Sequence, residues 1–213
     1  MNNFKLKINK NFTTYYLLFT TYAVRGFTFI ELVMVMSIFG LLTGVVLFNF
    51  GTFSDSVSLQ NLSQQIALEI KSAQSDAISG KNPNMFLPPQ KPSYGLFFDA
   101  NTPNKFYLFS DLNNSGDFNV NNDPVPEVES EIDISGGNTI DQICLNFGGI
   151  SRTCSKSGIY ITFVRPYPTS HFLTSDGQPV DSTVSSVEIV VKSAKGITTR
   201  SVFVTPLGQI SVK

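Results

Sequence analysis

The 213-residue chain has one histidine, two cysteines and no proline before Pro83. The lone His171 falls in a Pro/Ser/Thr-rich stretch from Pro166 to Pro179 that reads as an exposed loop. Neither a Ser-His-Asp triad nor a histidine metal site has supporting spacing there. No glycine-rich phosphate-cradling motif, internal repeat or low-complexity segment is present. Tyr and Phe are abundant, but they alternate within β-rich runs and read as core, not as a platform on which bases stack. Acidic residues are missing from positions 1–26, which hold Lys5, Lys7, Lys10 and Arg25. The remainder carries 11 basic against 16 acidic side chains, a net charge of −5, which argues against a general nucleic-acid binder. Lys192, Lys195 and Arg200 near the C-terminal hairpin are the basic group that admits DNA contact, and such a group is more often a solvated face.

The 24 residues from Phe27 to Phe50 form a long apolar run in which Glu31 is the only charge, and Thr28, Ser37, Thr43 and Asn49 are the only other polar side chains. At 1.5 Å per residue a helix of that length covers about 36 Å, against a hydrocarbon core of about 30 Å. Basic residues ahead of the run predict a cytoplasmic N-terminus and an exported C-terminal part. A carboxylate at the centre of a membrane helix costs on the order of 2.5–3.5 kcal/mol on insertion scales, so Glu31 calls for a partner. A plain signal anchor can also carry an acid this close to the interface, where it snorkels. Inside the run, Gly40 and Gly44 form a small-xxx-small pair that lets helices approach closely, although glycine is also simply common in membrane helices.

The string Arg25-Gly26-Phe27-Thr28-Phe29-Ile30-Glu31-Leu32 resembles the N-terminal processing motif of type IV prepilins and of the pseudopilins of type II secretion. The resemblance implies cleavage by a prepilin peptidase after Gly26 and N-methylation of the new terminus at Phe27. It also implies a role for Glu31 in meeting the terminal ammonium of a neighbouring subunit during assembly. Physically, a buried carboxylate facing a buried ammonium neutralises two unfavourable charges and fixes the axial register of one helix against the next.

Past Gly51 the composition turns polar while the helical period continues. Leu59, Leu62, Ile66, Ile70, Ala73 and Ala77 share one face, and Gly80 followed by Pro83 ends the helix. From Tyr94 onward short β-rich runs alternate with turns. We expect strands at 94–98, 105–110, 127–134, 143–147, 158–164, 186–192, 198–205 and 209–212, with tight turns at Lys195-Gly196 and Leu207-Gly208. The expected architecture is α+β with a pilin-like fold, in which a long N-terminal helix packs on a C-terminal antiparallel sheet. Its divisions are a cleaved leader 1–26, a transmembrane and assembly helix 27–50, an amphipathic soluble half 51–82 and a β-rich domain 83–213. The stretch Gln64–Lys81, the loop at Asp111 and the closing residues 202–210 further resemble minor pseudopilins.

Two more features belong to the exported part. Cys144 and Cys154 lie ten apart around Gly148-Gly149, a spacing open to a disulfide or to two separate buried thiols. Asp111, Asn113, Ser115, Asp117 and Asn119 place oxygens at alternate positions around Gly116, which resembles the first half of an EF-hand calcium loop. Asn122 stands where the bidentate glutamate would be, with Asp123 left to supply that carboxylate. An Asx-rich connection without an ion reads the same residues equally well. The chain therefore reads as a non-enzymatic structural subunit of a pilus or pseudopilus. Its partners would be other such subunits, the peptidase and the membrane, with calcium the sole cofactor in question. The other reading is a single-pass anchored binding or adhesion domain that never polymerises.

Overall fold

The structure, a computed structural model, describes residues 26–82, 92–113, 115–117, 127–148 and 151–213, without the side chains of residues 48, 49 and 52. Its first helix, α1, runs from Phe29 to Ser79, and the chain divides into two compact units, one up to Asn49 and one from Phe50 to Lys213.

In the first unit the residues from Phe29 to Leu47 are long and apolar enough to cross a membrane, and none of that stretch is buried within the protein. An unbroken helix suits such a segment because it satisfies every backbone polar group internally, which lipid cannot do. With no proline in the run, nothing interrupts the ladder.

In the second unit α1 becomes amphipathic. Leu59, Ile66, Ile70, Ala73 and Ala77 are completely buried and Leu62 nearly so. The helix closes in a Schellman motif: Lys81 N–H donates to the Asp76 carbonyl at 3.2 Å and Gly80 N–H to the Ala77 carbonyl at 3.3 Å. Gly80 has φ 68°, a conformation that glycine adopts without strain. A Cβ there would also collide with the Arg165 guanidinium, a cation that complements the negative end of the helix dipole.

Among the described residues ten strands follow, in two five-stranded sheets. They are β1 Ser93–Phe98, β2 Lys105–Asp111, β3 Val128–Asp133, β4 Thr139–Phe147, β5 Arg152–Ser155, β6 Ile159–Phe163, β7 Ser170–Thr174, β8 Val184–Lys192, β9 Thr199–Val204 and β10 Ile210–Val212. One sheet has the order β3-β2-β1-β6-β7 and the other β10-β9-β8-β4-β5, and every neighbouring pair is antiparallel. Alternate residues of the central strands face the helix. Tyr94, Leu96 and Phe98, then Ile159, Ile161 and Phe163, then Val187, Ile189 and Val191, with Val202 and Val204, join the helical stripe in one core. Two sheets rather than one share that helix, and this is the main refinement to the expected architecture.

Two strands were not expected. All four residues of β5 are exposed, so it carries no apolar alternation to read. The stretch 166–179 is not an open loop. It contains β7, whose Thr162↔His171 register with β6 places His171 on an exposed edge strand. Its prolines, at 166, 168 and 179, lie outside the strand, which is where an edge strand tolerates them.

Gln74 ties the helix to both sheets. It is 2% exposed, and its Nε2 donates to the Pro168 carbonyl at 2.8 Å, ahead of β7, and to the Gly208 carbonyl at 3.0 Å, in the β9–β10 turn. Its Oε1 accepts from Lys71 Nζ at 2.6 Å. Close by, Ser170 N–H donates to the Pro206 carbonyl and Ser170 Oγ to the Thr205 carbonyl, so the start of β7 and this turn are held at one point. Gly208 is required there, since a Cβ would overlap the Pro168 carbonyl oxygen. Gln74→Leu leaves two carbonyls without their donor, of which that of Gly208 is buried, and we expect a loss of about 1–3 kcal/mol in urea unfolding. The exposed Gln64→Leu should change stability by no more than about 0.5 kcal/mol, the usual scale for surface substitutions.

Candidate processing and assembly site

The N-terminus of α1 is a complete capping box. Thr28 is the N-cap, and its Oγ1 accepts from the Glu31 N–H at 3.3 Å. The Glu31 carboxylate in turn accepts from the Thr28 N–H at 3.0 Å and from the Thr28 hydroxyl at 3.0 Å. Two otherwise unpaired backbone donors at the helix start are thus satisfied reciprocally, and the acid lies in the first turn, where the helix dipole favours negative charge. The acid singled out as needing a partner has one inside its own chain. The signal for it, Thr-x-x-Glu directly ahead of an apolar run, is present in the sequence.

Before the box, Gly26 has nothing within 4 Å of a built Cβ, and Phe27 is 82% exposed. Among the described residues nothing covers the bond between them. Cleavage there would place an ammonium on Phe27, next to the positive end of the helix dipole, and Glu31 is the nearest compensating charge in sequence. Further along, Gly40 and Gly44 also have nothing within 4 Å, so the small-residue face is open. Ser37 spends its hydroxyl on the Val33 carbonyl at 2.8 Å, which removes a polar group from the apolar surface.

The other residues singled out from sequence lie in the second unit. Cys144 and Cys154 face one another across β4 and β5 and are joined, with S–S 2.08 Å and Cα–Cα 4.0 Å. The bond fixes the exposed β5 to the sheet. One strand further in, Glu188 sits opposite Cys144 on β8 and is 5% exposed. Arg152 of β5 grips it with Nε to Oε2 at 2.8 Å and Nη2 to Oε1 at 2.9 Å, and Ser201 Oγ donates at 2.7 Å. Burial alone would raise this carboxyl, but the Arg152 and Ser201 hydrogen bonds and the guanidinium charge outweigh it and hold it below the usual glutamate value. Nothing in the spacing of Arg152 and Glu188 announces this pair, because it depends on β5, which the pattern of apolar residues does not reveal.

At the Asp111 loop several of the described oxygens serve the backbone. Asp111, 1% exposed, accepts from Ser115 N–H and Gly116 N–H at 2.9 Å each, Asn113 accepts from Ser115 N–H at 2.7 Å, and Ser115 Oγ donates to Asp117 at 2.6 Å. Glu127, just ahead of β3, accepts from the Leu112 N–H at 2.9 Å and belongs to this turn although sequence reading passed it over. Asn119, Asn122 and Asp123 lie outside the described residues. Among the described residues no three Asp, Glu, His or Cys side chains converge as a metal site would require.

The basic residues weighed for DNA are largely engaged. Lys192 pairs with Asp141 at 2.9 Å and Lys195 with Asp55 at 2.9 Å, and Arg200 is half-buried.

An exposed glycine-phenylalanine bond, a Thr-Glu box opening an apolar helix, and an amphipathic continuation packed on antiparallel sheets make up an α+β protein whose N-terminal helix fits a membrane anchor. Residues 22–47 match the prokaryotic N-terminal methylation motif, which is the motif of type IV prepilins and pseudopilins. No curated protein and no solved structure matches the chain.

Proposed function

We propose that the chain is a structural subunit, and a minor one, of a type IV pilus or type II secretion pseudopilus. It is cut by prepilin peptidase after Gly26 and assembled with other subunits through α1. The observation that carries this reading is the capping box of Thr28 and Glu31 set directly behind an exposed Gly26-Phe27 bond and ahead of an unbroken apolar helix. In this reading 1–26 is a cytoplasmic leader, 27–50 is the lipid-resident and assembly segment, and 51–213 lies outside the cytoplasm. The basic residues ahead of the span set that orientation. An oxidising extracytoplasmic compartment suits the Cys144–Cys154 bond. Mass spectrometry of the protein from its host should find a mature N-terminus at Phe27 carrying one added methyl group, and Gly26→Ala should leave the leader attached. A wild-type chain that keeps residues 1–26 would overturn the reading.

Calcium at the Asp111 loop is part of the same proposal, supported by the alternation of Asp111, Asn113, Ser115 and Asp117 around Gly116. Binding requires the ion to compete with the Ser115 and Gly116 amides for the Asp111 oxygens. The affinity should therefore be weak and suited to millimolar calcium. A melting temperature that rises with added calcium and falls back with chelator, and does neither in Asp111→Asn, supports the site. Indifference to calcium leaves an Asx turn.

A further inference from the structure

We propose that, while the subunit resides in the membrane, its globular unit rests on the lipid headgroup layer through the β8–β9 turn and the two phenylalanines that follow the span. This rests on the reading of Phe29–Leu47 as a membrane span. The turn is compact: Ser193 N–H donates to the Thr198 carbonyl at 2.9 Å and Gly196 N–H to the Ser193 carbonyl at 2.7 Å, with Gly196 at φ 70°. That geometry pushes Ile197 outward, where it is 75% exposed. A β-branched apolar side chain at the tip of a hairpin gains nothing from water.

The turn is tied to the start of the second unit. Lys195 Nζ lies 2.9 Å from Asp55 Oδ2 and donates to the Gly51 carbonyl at 3.4 Å. Gly51 comes four residues after Leu47, the last residue of the apolar span. Along a helix that is about 6 Å, and even a fully extended chain reaches no more than about 14 Å. Each headgroup layer is about 5–7 Å deep. The covalent chain alone therefore holds Gly51, and with it the Lys195–Ile197 turn, at the level of the membrane interface.

The side chains there suit that level. Phe50 is 62% and Phe53 67% exposed, which is unfavourable in water and ordinary at an interface, where aromatic side chains are well accommodated. The Lys195 charge is answered by Asp55, so no bare charge is pressed on the lipid. A groove of about 410 Å³ bordered by Phe50, Phe53, Val57, Ser58, Asn61 and Ser135 has no charged side chain among the described residues of its lining, and its mixture of apolar, hydroxyl and amide groups matches the ester level of a phospholipid.

A second exposed turn provides the control. Leu207, in the β9–β10 turn, is 70% exposed, so in water it matches Ile197. Its neighbour Gly208 is bound to Gln74, which lies 23 residues beyond Gly51 on α1, about 34 Å along the helix axis. The full chain is reconstituted in phosphatidylcholine vesicles as three variants, Ile197→Cys, Leu207→Cys and Leu42→Cys, each labelled with an environment-sensitive fluorophore. Labelling is done without reductant, because Cys144 and Cys154 are joined and the protein has no free cysteine. Quenching is then read with nitroxide lipids labelled at the headgroup or along the acyl chain. Acyl nitroxide should quench the probe at 42, and headgroup nitroxide should quench the probe at 197 severalfold more than the one at 207. Quenching at 42 with equal headgroup quenching at 197 and 207 would overturn the docking and leave the span standing. No quenching at 42 would overturn both.

Discussion

A carboxylate in the first turn of an apolar helix must be compensated at every stage of the protein's life, and the N-terminal unit is built around that requirement. In the structure the compensation is local: the Thr28 amide and hydroxyl hold Glu31, and Thr28 Oγ1 holds the Glu31 amide in return. This makes the helix start self-sufficient, so the apolar segment can lie in lipid without a second chain. It also keeps the acid at the helix terminus, beside the residue that becomes the new N-terminus if the chain is cut after Gly26. The ammonium formed there would be the one strong competitor for the Glu31 oxygens. An exchange of Thr28 for an ammonium of another copy would swap one satisfied state for another without passing through a bare charge in a low dielectric.

The remainder of α1 solves a different problem with the same backbone. From Leu59 to Ala77 the apolar residues narrow from the whole circumference to one stripe, and that stripe is the surface on which both sheets converge. Gln74 is the polar exception on the buried side. Its three hydrogen bonds hold the helix, the segment before β7 and the β9–β10 turn in one register, so the two sheets are positioned by a single side chain as well as by the common core. The disulfide and the Arg152–Glu188 pair do the corresponding work at the far edge, where β5 is too short and too exposed to be held by burial.

What could be read from the sequence followed how directly each feature is encoded. The span, the buried stripe and the central strands show as periodicity, and eight of the ten strands fall where alternating residues and turn glycines place them. β7 was hidden by prolines that lie beyond its ends, and β5 by the absence of any apolar residue to alternate. The division into two sheets depends on which strands pair, and local pattern says nothing about that. At the candidate site, Arg25 to Leu32 is legible as a motif, whereas the internal partner of Glu31 shows only when the acid is set against the helix end it caps and not against lipid. Gln74 and Glu188 were invisible for a related reason: each is one polar residue among many until the fold buries it.

The most direct test of the account is the fate of Glu31→Ala beside Thr28→Ala in the protein's own host, measured as the share of processed subunit recovered in sheared fibres against the share left in the membrane. The account predicts that both variants are inserted and cut, that Thr28→Ala still enters fibres because it keeps the carboxylate for the ammonium, and that Glu31→Ala stays in the membrane. Normal incorporation of Glu31→Ala into fibres would contradict it.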